Sequence, residues 1–189
     1  MKTCVFYYDG FAEFEIAFCC LQFKAGGITA VGLENRLYAS EEGQRLAVDA
    51  ALEELDPASV DLFIVPGGTP DAVIADGRLG DFLRRVAAAG KTVAGICGGA
   101  VILAAAGLLD GKRCTGNWTG VGPDDPDRPR FAKAEIVDED VVVDGNVVTA
   151  RGVAYLEFAL ELGRKTGLYA TDAEYQSDLS TFKNLKAKA

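Results

Sequence analysis

The stretch VAGICGGAVILAAAGLL, from Val93 to Leu109, narrows most what this chain can become. It is apolar throughout, yet Gly95, Gly98 and Gly99 crowd around Cys97 near its start. A membrane-spanning helix needs about 20 predominantly apolar residues, and the glycine cluster breaks this run. A helix that is apolar on every side has to be buried. The stretch therefore predicts a buried strand over residues 91–96 that turns at once into a buried helix over 98–106.

The rest of the chain supplies partners for that pair. Residues 2–8 predict a second buried strand, rich in aromatic and β-branched side chains and ended by Asp9-Gly10. A helix is expected over 11–25, closed by Gly26-Gly27, and another strand over 28–33. Short strands over 37–39 and 46–49 flank the turn-like EEGQ. A strong strand over 60–65 runs into Pro66-Gly67-Gly68, and a helix over 78–89 stops at Gly90. This order predicts a parallel sheet covered by helices on both faces. Ligands of such sheets bind outside the carboxyl ends of the strands, where three loops collect: Asp9-Gly10, Pro66-Gly67-Gly68 and residues 95–99. Beyond Cys114 lies a Pro- and Asp-rich loop, GPDDPDRPR. Short strands come after it over 132–137, 141–143 and 147–149, with a hairpin turn at Asp144-Gly145. Helices close the chain over 154–165 and 172–185. No repeat or linker divides the 189 residues, so one domain over 1–189 is expected.

Composition removes several function classes. With 19 Lys+Arg against 28 Asp+Glu the net charge is -9, which repels phosphate backbones and argues against nucleic acid. No membrane span is expected. The N-terminal apolar run is too short for a signal peptide and has no small-residue cleavage site, so a cytoplasmic protein is expected. The five cysteines are odd in number and lack framework spacing, which argues against structural disulfides. There is no histidine, so no Cys-His or Ser-His pair can be built within this chain. No G-x-G-x-x-G occurs and no cysteine pair has ligand spacing, so neither a cofactor nor a metal is expected.

Gly95-Ile96-Cys97-Gly98-Gly99 fits G-x-C-x-G, the nucleophile-elbow pattern with cysteine in the serine place. A strand reversing abruptly into a helix strains the central residue and sets its side chain at the helix N-terminus. There the dipole and free N–H groups favour an anion and make a thiol more acidic. The competing reading is a structural cysteine before a softened turn. The strand-before, helix-after order and the neighbouring Pro-Gly-Gly loop, which could offer an amide, favour the elbow. Cys4, Cys19, Cys20 and Cys114 read as structural. In the first helix, FAEFEIAFCCLQFKA, Phe11, Phe14, Glu15, Phe18, Gln22 and Ala25 share one face. Glu13, Ala17, Cys20 and Lys24 take the other. Glu15 thus points among phenylalanines on the same rim as Cys97. Either its carboxyl stays protonated and donates to a thiolate, or it snorkels to the edge or pairs with a cation.

Taken together, DGFAEFE (9–15), VPGG (65–68), AGICGGAVILAAAGLLDGKRCTG (94–116) and DGNVVTARGVAYLEFALEL (144–162) resemble the DJ-1/PfpI superfamily over nearly the whole chain. The resemblance implies a flavodoxin-like three-layer α/β sandwich, related to class I glutamine amidotransferase domains. It implies Cys97 as nucleophile, Glu15 as the acid bonded to its sulfur, and the Gly68 and Gly98 amides as the oxyanion site. It also implies a homodimer and a small-molecule substrate. Roles in the superfamily include peptidase, glyoxalase or deglycase, isocyanide hydratase, chaperone and oxidation sensor. The departure is a missing histidine. Thr115-Gly116-Asn117-Trp118 occupies the stretch where many members carry Thr-His, so Asn117 takes its place. Glutaminase and peptidase chemistry lose support, because no imidazole can protonate a leaving amine. Asn117 and Trp118 are expected to line a small-molecule pocket, although Trp118 reads equally as core or dimer filler. A cysteine-dependent hydrolase, hydratase or glyoxalase is the first expectation. An oxidation sensor, with Cys97 advancing to sulfinic acid, is the second.

Overall fold

The computed structural model describes residues 1–187. In chain order its elements are β1 (Thr3–Phe6), α1 (Phe14–Phe23), β2 (Ile28–Gly32), β3 (Leu37–Ala39), β4 (Arg45–Ala47) and β5 (Ala50–Ala51). Then come β6 (Leu62–Val65), α2 (Asp71–Asp76), α3 (Arg78–Ala88), β7 (Thr92–Ile96), α4 (Gly98–Ala105) and β8 (Arg113–Cys114). The last are β9 (Glu135–Ile136), β10 (Val141–Asp144), β11 (Val147–Ala150), α5 (Tyr155–Lys165) and α6 (Asp172–Ala187). A seven-stranded sheet runs β10-β11-β7-β6-β1-β2-β5, parallel except for the β10–β11 hairpin.

β1 and β6 sit at the centre, and every residue of TCVF and LFIV is buried because both sheet faces are covered. The chain leaves β1 toward β2 on one side and β6 toward β7 on the other. Right-handed crossovers then place α1 and α3 on opposite faces. α5 packs on α1, and α4 packs against α3, giving a helix–sheet–helix sandwich of flavodoxin type. α3 buries Leu79, Phe82, Leu83 and Val86, the i, i+3, i+4, i+7 stripe of a one-sided helix. In α4, by contrast, every residue from Gly98 to Ala104 is buried. Gly107, at φ 73, closes α4 with Gly107 N–H bonded to Ala104 O and Leu108 N–H to Leu103 O. Among the described residues no helix is long and apolar enough to cross a membrane.

Three expectations need correction. α1 begins at Phe14, not Phe11. Phe11 bridges both Ser40 and Gly68, which holds residues 11–12 extended. The helix N-terminus is satisfied from outside, by the Glu42 carboxylate accepting from Glu13 N–H and Phe14 N–H. The buried stripe of α1 is also rotated, to Glu15, Ile16, Cys19 and Phe23, leaving Phe14 and Phe18 half-buried. The strand expected over 132–137 shrinks to β9, because a tight turn through Arg128–Phe131 buries the Phe131 ring first. The short helix α2 carried no periodicity long enough to predict it.

Candidate active site

The central turn comes directly after β7. Gly95 and Gly99 approach so closely that a methyl on Gly95 would lie 2.8 Å from the Gly99 carbonyl. Gly99 in turn rests on the β6 exit, where a methyl would meet Val65 O at 2.2 Å. Helix α4 therefore starts directly against the strands, and Cys97 takes the whole reversal at φ 53 and ψ -123. Among the described residues only two that are not glycine have positive φ, Cys97 and Asn117. Such geometry persists where its surroundings over-determine it. Cys97 N–H donates to Ala150 O at 2.9 Å, and Cys97 O accepts from Ala100 N–H at 3.0 Å and Asn117 N–H at 3.3 Å.

Glu15 reaches the same point from the first turn of α1. It is 1% exposed, and its Oε2 accepts from Gly67 N–H at 2.8 Å. A methyl on Gly67 would lie 2.5 Å from Glu15 Oε2, 2.6 Å from Cys97 Cβ and 3.0 Å from Cys97 Sγ. Carboxyl and thiol thus close over a bare glycine, where any side chain would separate them. The amides of Gly98 and Gly68 favour the thiolate form of Cys97. Among the described residues no three His, Cys, Asp or Glu side chains gather where a metal could be held.

The expected acidic thiol is reversed. Burial and then the facing Glu15 charge push Cys97 up to about 12, outweighing the Gly98 and Gly68 amides. Burial also lifts Glu15, to about 7, although the Gly67 amide and Cys97 oppose it. The helix N-terminus is present, but desolvation and a neighbouring carboxylate win. Near pH 7 Glu15 is therefore about half ionised while Cys97 keeps its proton. Cys4 and Cys114 are raised to about 11 by burial, and Cys19 and Cys20 are raised as well. What sets Cys97 apart is its neighbours, not its acidity.

Of the sequence candidates, Cys97, Glu15, Gly68 and Gly98 converge. Asn117 adjoins them through its backbone alone, since its side-chain amide donates to the Asp125 carboxylate. Trp118 is 51% exposed, so it is not core filler. Its ring covers Gly152, where a methyl would meet Trp118 Cε3 at 2.4 Å and Glu15 Oε1 at 2.8 Å. Phe14 meets it edge-on with centroids 6.0 Å apart. A cavity of about 380 Å³ is lined by Thr119, Gly120, Arg128, Asp138 and Arg151, and Trp118 does not line it. Sequence reasoning missed Gly67, Gly152 and Tyr8, whose hydroxyl donates to Gly67 O at 2.6 Å. Gly67 was visible as half of Pro-Gly-Gly. Tyr8 shows in the sequence only as the end of an apolar strand run, and Gly152 only as a link between the strand over 147–149 and the helix over 154–165.

The sequence model of the DJ-1/PfpI family matches residues 1–165. The chain belongs to the DJ-1/PfpI family. Helix α6 lies beyond the matched span. A deglycase of Thermococcus kodakarensis is 32% identical over 154 residues, 80% of this chain and 90% of its own. Protein/nucleic acid deglycase 2 of Escherichia coli is 30% identical over 156 residues, 79% of this chain and 88% of its own. Among solved structures, DJ-1beta of Drosophila melanogaster superposes with a TM-score of 0.79 at 25% identity, over 95% of this chain and 98% of its own. This DJ-1/PfpI chain has no histidine to place beside its cysteine.

Proposed function

We propose that this protein is a cysteine-dependent enzyme acting on small reactive carbonyl compounds, in the manner of a glyoxalase or deglycase. The observation that carries this reading is the closure of Glu15 and Cys97 over Gly67, with the Gly68 and Gly98 amides on the sulfur side. The deglycase names of relatives at 30–32% identity point the same way.

For a 2-oxoaldehyde the chemistry balances without an imidazole. Glu15 carboxylate takes the Cys97 proton as sulfur bonds to the aldehyde carbon. The carbonyl π electrons pass to oxygen, which faces the two amides and then collects that proton, giving a hemithioacetal. Glu15 next moves the proton on the former aldehyde carbon to the neighbouring carbon, while the hemithioacetal hydroxyl proton passes to the neighbouring ketone oxygen, which leaves a 2-hydroxy thioester. Water cleaves it to a 2-hydroxy acid and the free thiol, so the net change is addition of one water. Trp118 and Phe14 form the wall against which the remainder of the substrate lies.

An oxidation sensor needs a resting thiolate. A thiol held up at about 12 with a carboxylate base at about 7 suits a nucleophile made on demand better. The test is turnover of methylglyoxal and phenylglyoxal by wild type, Cys97→Ala and Glu15→Gln. Product formation that vanishes with Cys97→Ala supports the proposal; turnover of neither glyoxal by the wild type, or turnover that survives Cys97→Ala, overturns it.

A further inference from the structure

Between the two amides credited with holding negative charge there is an asymmetry. Gly98 N–H belongs to the first turn of α4 and is aimed by the helix. Gly68 N–H belongs to a Gly–Gly peptide in a loop, flanked by no Cβ on either side, and such a peptide has the least steric resistance to rotation. Something else has to hold it.

The Gly67 carbonyl is the handle. It accepts from the Tyr8 hydroxyl at 2.6 Å and from Ala12 N–H at 3.0 Å. In a planar trans peptide the C=O of Gly67 and the N–H of Gly68 point to opposite sides. A carbonyl held toward the end of β1 therefore turns the Gly68 amide toward the Cys97 sulfur. Tyr8 is 3% exposed, and its ring lies between Phe6 and Phe11 with centroids 6.1 and 6.3 Å away. Its hydroxyl is thus fixed in place, with only Pro66 O as a second, longer contact at 3.4 Å. Burial, reinforced by the charges of Glu15 and Cys97, keeps the phenol neutral, so it remains a donor. A donor on the carbonyl also polarises the peptide and strengthens its N–H.

We infer that Tyr8 is a positioning residue that aims the Gly68 amide at the Cys97 sulfur. It touches no reacting atom and acts through the 67–68 peptide. The inference rests on the proposed role of that amide, but its test needs no substrate.

Tyr8→Phe removes one oxygen and leaves Gly67 O bonded to Ala12, so the fold is retained. Two measurements are made on the folded protein. One is the rate of Cys97 alkylation by iodoacetamide between pH 6 and 9, read by mass spectrometry of the Cys97 peptide. The other is hydrogen exchange at the Gly68 and Gly98 amides in protein labelled with 15N-glycine. The expected result is alkylation slowed roughly three- to tenfold at every pH, with Gly68 exchange accelerated and Gly98 exchange unchanged. Tyr7→Phe, a half-buried neighbour stacked on Phe11, should change neither. Alkylation within twofold of wild type overturns the inference. So does slowing with Gly68 exchange unchanged, or with both amides loosened alike, which is what a purely structural tyrosine would do. If the wild type turns over no glyoxal, the enzyme proposal falls while the Tyr8 result stands.

Discussion

Two glycine-rich turns stand side by side at the carboxyl ends of β6 and β7, and they present opposite things. After β7 a single residue separates strand from helix, so Cys97 absorbs the reversal and presents a side chain. After β6 no helix begins until Asp71, and Gly67 and Gly68 offer only backbone, one amide to Glu15 and one to Cys97. The element downstream of each turn decides the outcome. An immediate helix fixes one residue in an unusual conformation. A longer loop without side chains lets amides approach another turn's thiol.

On this contrast, the side-chain turn should tolerate loss of its side chain in stability but not in chemistry. Cys97→Ala should lower glyoxal turnover by at least roughly a thousandfold, about 4 kcal/mol of barrier. Its melting temperature should stay close to wild type; a large drop would mean the thiol was structural. The backbone turn should show the reverse. A methyl on Gly68 would lie 1.9 Å from Gly10 O, on a backbone at φ 108. Gly68→Ala should therefore cost about 3 kcal/mol or more in urea unfolding. Gly107→Ala, equally left-handed at φ 73 but with nothing within 4 Å, should cost only about 1 kcal/mol. Equal costs would show that crowding is not what sets the β6 turn.

Between the turns, Glu15 gives a pH signature. Its folded value of about 7 lies above the ordinary 4.5, so folding favours the protonated acid. That contribution is complete below about 4.5 and is lost as pH rises through about 7. Glu15→Gln should match wild type near pH 4 and exceed its stability at pH 8, by on the order of 3 kcal/mol. Wild-type turnover should climb through about pH 7 as the carboxylate base appears, and the Gln variant should lose that rise. A flat wild-type profile would remove Glu15 as base. The smallest effect belongs to the wall. Trp118→Ala should raise KM for phenylglyoxal about fivefold, roughly 1 kcal/mol, with kcat little changed. An effect on kcat alone would place Trp118 in the chemistry instead.

The strands and the elbow were legible because they depend on local pattern. An apolar run with glycines at its break can hardly do anything but turn between buried elements. The convergence of Glu15 on Cys97 was half legible. The carboxylate's place on the first helix showed, but the buried stripe turned out to run through Ile16 and Cys19, not Phe14 and Phe18. The acidity of the thiol was misread, since a helix N-terminus is visible in sequence and desolvation is not. Tyr8, Gly67 and Gly152 were hidden for a simpler reason. Each matters through a neighbour far away in the chain, and no local period records that.

The Cys97 amide bonds Ala150 O, and Gly152 lies beneath Trp118 and beside Glu15. β7 therefore gains its outer neighbour only from β11, a segment translated well after it. Glu15 and Gly67 precede Cys97 in the chain, so the carboxyl side of its cover does not wait for β11, whereas the Ala150 bond and the Gly152–Trp118 side do. Non-local pairings of this kind form late. The cover over Cys97 is therefore complete only once the segment through β11 has paired with β7.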